Sequence, residues 1–393
     1  MRHAVRDGHR WNGRDGGRGC RLRPTAHAGT RALVSQRGEG VEEPEASIRA
    51  RAAGRALSRP RAGSAALVYY TNSHYFSEQD VLDRLTRILM ADAPTDIEKF
   101  RLISTVDGQP QREFELLRAP LERNSVQADK LDVSDTMVAT YPSLQNPVLA
   151  ATNRTSFPRF SWGISPFLRQ ELFDPTNPFA VQLGVGVDAK LEFLRGWTLN
   201  GEVETSIYDD FNTARDSGSD LPHVRSDFLK YFAQGKTGIG ELHTDYGFRL
   251  TPNIFATIKA GYLESMFAGG GGEILWQPDG QRWALGADVY EVWQRDFNRL
   301  FGLQNYRVTT GHVSFYYASP WHGLNFMVSA GQYLAGDRGL TLQITRRFST
   351  GIEIGAFATK TNVSADRFGE GSFDKGIIIR IPLGWALPIE TQS

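Results

Sequence analysis

Glu241, His243 and Asp245 recur at every second position. In an extended strand that spacing puts all three on one face, with roughly 7 Å between successive side chains. An imidazole between two carboxylates could seed a metal site or an acid–base group. With Arg249 on the same face, the set reads more economically as a polar ladder on the wet side of a strand, so neither a metal nor a catalytic role is assigned. His312 and Ser314 also share a face, as the base and nucleophile of a hydrolase would. Two residues apart on a strand is too far for a direct hydrogen bond, and no nucleophile-elbow glycine pattern surrounds them. Gly269–Gly272 is not followed by the Gly-Lys-Ser/Thr of a phosphate loop and reads as a flexible hairpin tip. Asp366, Glu370 and Asp374 lack the spacing of an EF-hand and read as a solvated or inward-folded acidic loop. No motif calls for a cofactor.

The elements that carry these residues are strands of unusual length. From Phe179 to Phe193 every odd position is apolar, and the even positions are small or polar, among them Gln182, Gly184, Gly186, Asp188, Lys190 and Glu192. A period of two marks a strand with one apolar and one polar face. Ordinary strands run about five or six residues, so this one outgrows a soluble sandwich. Arg195-Gly196 turns the chain, after which Trp197, Leu199, Val203 and Ile207 alternate with Asn200, Glu202, Glu204 and Ser206. Residues 158 to 385 yield about twelve such strands. Their connections are short and rich in Gly, Pro, Asp or Ser at 195–196, 251–253, 278–281, 318–323 and 348–350. The intervening ones, at 208–235, 265–270, 294–304, 334–339 and 361–374, are mostly longer. Short turns at one end and longer loops at the other are the habit of a transmembrane β-barrel. The predicted fold is therefore mainly β, an antiparallel transmembrane-type barrel.

Composition is compatible with that fold. Lys+Arg and Asp+Glu both number 44, and mean hydropathy is −0.36. The balance leaves no global field to attract nucleic acid, and no run of eighteen apolar residues offers a transmembrane helix. A barrel escapes the second test, because half of each strand is polar. The single cysteine, Cys20, excludes an internal disulfide and a Cys-based cluster. Residues 1–62 carry fourteen arginines and no lysine, show no hydrophobic periodicity and no secretory signal, and are expected to be a disordered leader foreign to the rest. Residues 66–125 read as a small α/β module. Ser77 caps a helix carrying Val81, Leu82, Leu85, Ile88 and Leu89, and a hairpin follows around Asp107-Gly108. Residues 126–157 read as a polar linker, and 158–388 as the barrel.

Five strings carry a resemblance. They are Leu221-Pro-His-Val-Arg-Ser-Asp227, Gln294-Arg-Asp-Phe297, Thr310-Gly-His-Val-Ser-Phe-Tyr-Tyr317, Gly331-Gln-Tyr-Leu-Ala-Gly-Asp337 and Phe368-Gly-Glu-Gly-Ser-Phe-Asp-Lys-Gly376. In this order they resemble the YjbH family of outer-membrane barrel proteins, often lipoproteins, tied to exopolysaccharide and capsule production. The resemblance spans about residues 66 to 388 and implies the C-terminal portion of a family member. It further implies an outer-membrane location in a Gram-negative bacterium, with outer-membrane lipid, an exopolysaccharide or capsular polysaccharide, and other export proteins as partners. It brings no catalytic residue.

Sugar polymers are held by aromatic faces, with Asn, Asp, Arg and Gln meeting hydroxyls. Trp293, Arg295 and Asp296 lie where a strand enters a long connection, and Tyr333, Asp337 and Arg338 lie in and beside another. These six are the candidate polysaccharide contacts. Trp197, Trp283 and Trp321 adjoin short turns and read as an interfacial girdle. The expected function is non-enzymatic assistance in exopolysaccharide or capsule secretion, with a general porin and an outer-membrane hydrolase as alternatives.

Overall fold

The computed structural model describes residues 64–72, 78–106, 109–125, 138–140, 157–172, 179–210, 222, 224, 227–348, 351–364 and 374–381. Contacts divide the chain into two compact units. The leader, Ser77, Asp107-Gly108, Asp366 and Glu370 lie outside the described residues.

The smaller unit contains β1 (Ser64–Tyr70), α1 (Glu78–Asp92), β2 (Ile97–Val106), β3 (Gln109–Leu117), α2 (Arg118–Ser125) and β4 (Val138–Thr140). Its sheet runs β1-β2-β3-β4, with β1 parallel to β2 and the other pairs antiparallel. Helical spacing puts Val81, Leu82, Leu85 and Leu89 on one stripe of α1. That stripe meets Phe100, Leu102, Phe114 and Leu116 from the sheet and Leu121 from α2 in one buried core. The opposite sheet face carries charge pairs such as Lys99–Glu115 at 2.7 Å. Arg118 is buried and donates to the carbonyls of Met90 (3.1 Å) and Pro94 (2.6 Å), satisfying the end of α1. Strand β4 falls in the stretch read from sequence as linker. Three residues are too few to show a period, yet they pair with β3.

The larger unit is a meander of β5 (Arg159–Leu172), β6 (Phe179–Leu194), β7 (Trp197–Asp209), β8 (Thr237–Thr251), β9 (Ile254–Tyr262), β10 (Phe267–Trp276), β11 (Trp283–Arg295), β12 (Leu303–Ala318), β13 (Leu324–Gln332), β14 (Arg338–Arg347), β15 (Glu353–Thr361) and β16 (Asp374–Arg380). All twelve strands form one antiparallel sheet in sequence order from β5 to β16. Among the described residues β5 and β16 are not paired with each other, so the sheet is not closed. Helix α3 (Phe228–Gln234) lies between β7 and β8. No described helix is long and apolar enough to cross a membrane, which has no bearing on strands.

Burial in this sheet has the opposite sign to that of a soluble one. Ile164, Val187, Val203, Ile258, Val289 and Val313 are between 45% and 62% exposed. Polar residues on the opposite face, including Gln182, Asn200, His243, His312, Ser329 and Thr341, are buried.

Gly269–Gly272 is not a hairpin tip, as its sequence suggested. All four residues sit within β10, paired with β9 on one side and β11 on the other. A Cβ on Gly271 would lie 2.2 Å from the Val289 carbonyl oxygen and 2.5 Å from the Tyr290 ring, so only glycine lets that ring lie flat on the strand. Because β10 begins at Phe267, the β9–β10 connection shrinks to 263–266, shorter than the turns 277–282 and 319–323 at the opposite end. The other connections at its end, 173–178, 210–236, 296–302, 333–337 and 362–373, are five residues or more.

Candidate functional site: the polar inner face

The ladder predicted on β8 faces inward. His243 is fully buried, with Nδ1 2.9 Å from an Asp245 oxygen and Nε2 3.5 Å from a Glu241 oxygen. The amide of Asn200 donates to the other Asp245 oxygen at 3.1 Å, and Lys259 Nζ lies 3.8 Å from the first. These cross-strand partners tie β7, β8 and β9 together through polar side chains. Arg249 stands apart from them, with its guanidinium 5.5 Å over the Phe255 ring and a hydrogen bond to the Pro252 carbonyl. Among the described residues no cluster of three or more His, Cys, Asp or Glu is arranged to hold a metal.

A second polar group lies on the inner face of β11 to β16. Cross-strand register aligns Ser314, Ser329, Thr341, Thr359 and Asp374 in one row over five neighbouring strands. Ser314 donates to Ser329 at 2.9 Å, and the Thr341 and Thr359 hydroxyls are 2.8 Å apart. Beside this row His312 Nδ1 lies 3.4 Å from Asp288, and the His312 ring meets that of Tyr333 edge-on at 4.8 Å. His312 and Ser314 thus bond to different partners, Asp288 and Ser329.

The third group had no signal in strand periodicity. Helix α3 touches inner-face residues of strands far apart in the sheet. On one side Tyr231 packs with Phe267, Tyr290, Val292 and Val308 of β10 to β12. On the other, the Phe232 ring stacks against the Arg169 guanidinium of β5 at 4.1 Å, and the Phe232 carbonyl accepts from Gln182 of β6. A seven-residue helix can reach both only if the sheet curls around it. Charge completes the attachment. Arg169 Nη2 donates to both Glu204 oxygens (2.6 and 2.7 Å), and Arg299, from the 296–302 connection, donates to the same carboxylate from the opposite side. Arg299 also donates to the Gly235 carbonyl at the C-terminal end of α3 (3.3 Å). Burial holds the Arg299 guanidinium below its ordinary pKa, an effect the Glu204 carboxylate opposes.

The six predicted contact residues do not form one surface. Arg295 is fully buried and donates to the carbonyls of Glu264 (2.6 Å), Arg299 (2.8 Å) and Leu300 (3.1 Å). It is a scaffold for the 296–302 connection, a role hidden in sequence because its partners are backbone atoms. Asp296 caps that connection, its N–H donating to the Gly302 carbonyl. Trp293 is half-buried on the outer face, with the Arg307 guanidinium 5.3 Å above its ring. Tyr333 turns inward and its hydroxyl lies 2.6 Å from Thr341. Asp337 is half-buried, and burial raises its pKa. Arg338 is exposed and bonded to Gln332 at 3.0 Å. Helix α3 was legible only in Phe228 and Phe232, one helical turn apart within a long connection.

The family model for YjbH, described as an exopolysaccharide biosynthesis protein, matches residues 31–393. The chain belongs to the YjbH family. The uncharacterized lipoprotein YjbH of Escherichia coli (strain K12) is 33% identical over 322 residues, covering 79% of this chain and 45% of the relative. This YjbH-family chain thus spans a little under half the length of that relative. Membership relates it to exopolysaccharide biosynthesis, as the five strings implied.

Proposed function

We propose that the twelve-stranded unit of this YjbH-family chain is an outer-membrane β-barrel that assists secretion or assembly of an exopolysaccharide or capsule without catalysing a reaction. The observation that carries the membrane reading is the reversed polarity of the sheet, with exposed aliphatic residues outside and buried polar ones inside. Two aromatic bands support it. At the short-turn end Trp197 meets Tyr246 (5.7 Å), and Trp276 meets Trp283 (5.2 Å). At the other end Tyr262 meets Phe301 (5.7 Å), and Arg307 covers Trp293. Along β11, Trp283 and Trp293 are ten residues apart, roughly 33 Å of strand. Tilted at about 40°, that run covers about 25 Å of bilayer, the height of the apolar band of such barrels. The lipoprotein name of the E. coli relative supports an envelope location.

The four-stranded unit is then periplasmic. Asp296 and Arg338, at the long-loop rim, are the polymer contacts we favour over the more enclosed Tyr333 and Asp337, while Trp293 belongs to the aromatic band. Buried inner-face side chains speak against a general porin, which needs a wet lumen. The separate bonding of His312 and Ser314 speaks against a hydrolase. The test is deletion of the gene, with surface polymer and small-solute uptake measured together. Reduced polymer with unchanged uptake is expected. Normal polymer with lost uptake would replace this reading with the porin.

A further inference from the structure

We infer that helix α3 is a releasable latch, closing the long-loop end of the curled sheet and held shut by the Arg169–Glu204–Arg299 bridge. The two sides of the helix are attached by different physics. The Tyr231 side rests in an apolar cluster with Leu263, Met266, Phe267, Tyr290, Val292 and Val308. The Phe232 side packs with Phe228 and Leu229 of its own helix and, among the described residues, meets the sheet through charge. It meets the Arg169 guanidinium at 4.1 Å and the Arg299 guanidinium at 5.5 Å, and one carboxylate, Glu204, joins the two cations. Glu204 and Arg299 have side chains no more than 6% exposed.

Buried ion bridges carry a large desolvation cost, and apolar residues of similar volume often hold a structure better. Their distinguishing property is that they fail abruptly when one member is lost, because a buried charge is then left uncompensated. A permanent plug would be held by apolar contacts on both sides. A helix with a greasy side and an ionic side is instead hinged on the first and locked by the second. The lock also reaches across the molecule: Glu204 is on β7, Arg169 on β5 and Arg299 between β11 and β12. Loss of Glu204 detaches the Phe232 side from β5 and from the 296–302 connection in one step. This device depends on the inner face alone, so it stands or falls independently of the membrane and polysaccharide readings.

Hydrogen exchange of the full chain in detergent micelles, native against Glu204→Gln, tests the latch. The amides of residues 229–235 should exchange at least tenfold faster in the variant, while those of β12 to β14 keep their native protection. A triple variant, Arg169→Met with Glu204→Leu and Arg299→Met, replaces the bridge by apolar packing and should return 229–235 to native protection or better. Unchanged exchange of 229–235 in Glu204→Gln would overturn the latch. So would an equal rise in β12 to β14, which would mark general loosening, and so would failure of the triple variant to restore protection in an otherwise intact sheet.

Discussion

The two units of this chain use the same alternation of apolar and polar residues with opposite outcomes. In β2 of the small sheet Phe100 and Leu102 turn into a core, and the neighbouring face is charged. In β12 of the large sheet Val313 and Phe315 are exposed, and Thr310, His312 and Ser314 on the opposite face are buried. A period of two fixes only that the two faces differ. Which face is buried depends on what the other face meets. The small unit hides its apolar face under α1 because water lies outside. The large sheet hides its polar face, a pattern that the proposed membrane setting would favour.

That contrast can be broken by substitution. Phe100→Ala should destabilise the small unit by about 3–5 kcal/mol, as loss of a fully buried aromatic does, read from denaturant-dependent hydrogen exchange of β2. Val289→Lys, midway between Trp283 and Trp293, should cost about 2–4 kcal/mol when folding into lipid vesicles is titrated with urea. If that face met water the cost would stay within about 0.5 kcal/mol, and the two units would no longer differ in kind. Inside the large sheet Ser329→Ala removes the partner of the buried Ser314 hydroxyl. It should cost about 1–2 kcal/mol in the same titration, whereas an open, wet lumen would leave it nearly neutral.

The smallest effect concerns pH. Burial raises Asp337 above its ordinary value of 3.8, so the folded state favours the protonated acid. Its contribution is full below that ordinary value and is lost as pH rises through the raised one. Stability measured from about pH 3.5 to pH 7 should contain a declining component that Asp337→Asn removes.

The strands were legible because each carries its own evidence. Phe179–Leu194 announces its length, its turn at Arg195-Gly196 and its two faces within sixteen residues. The helix α1 stripe was legible for the same reason. Gly269–Gly272 misled because glycine marks both turns and close strand approach, and only the register with Glu291 and Val292 decides between them. The bridge at α3 left no local trace, since Glu204 and Arg299 are 95 residues apart and belong to no shared period. Arg295 was picked out by residue type as a sugar contact, but its partners are carbonyl groups that every residue carries.

The meander has a consequence for how the sheet comes together in time. Every strand pairs with its neighbour in the chain, so each new hairpin can add to a finished edge with little loop entropy to overcome. Helix α3 is the exception. It is made between β7 and β8, yet half of its seat belongs to β11, β12 and the connection carrying Arg299. Until those residues arrive, Glu204 has only Arg169, and the end of the sheet that α3 occupies stays open. Assembly should therefore finish at that end, with the arrival of Arg299 as its last long-range step.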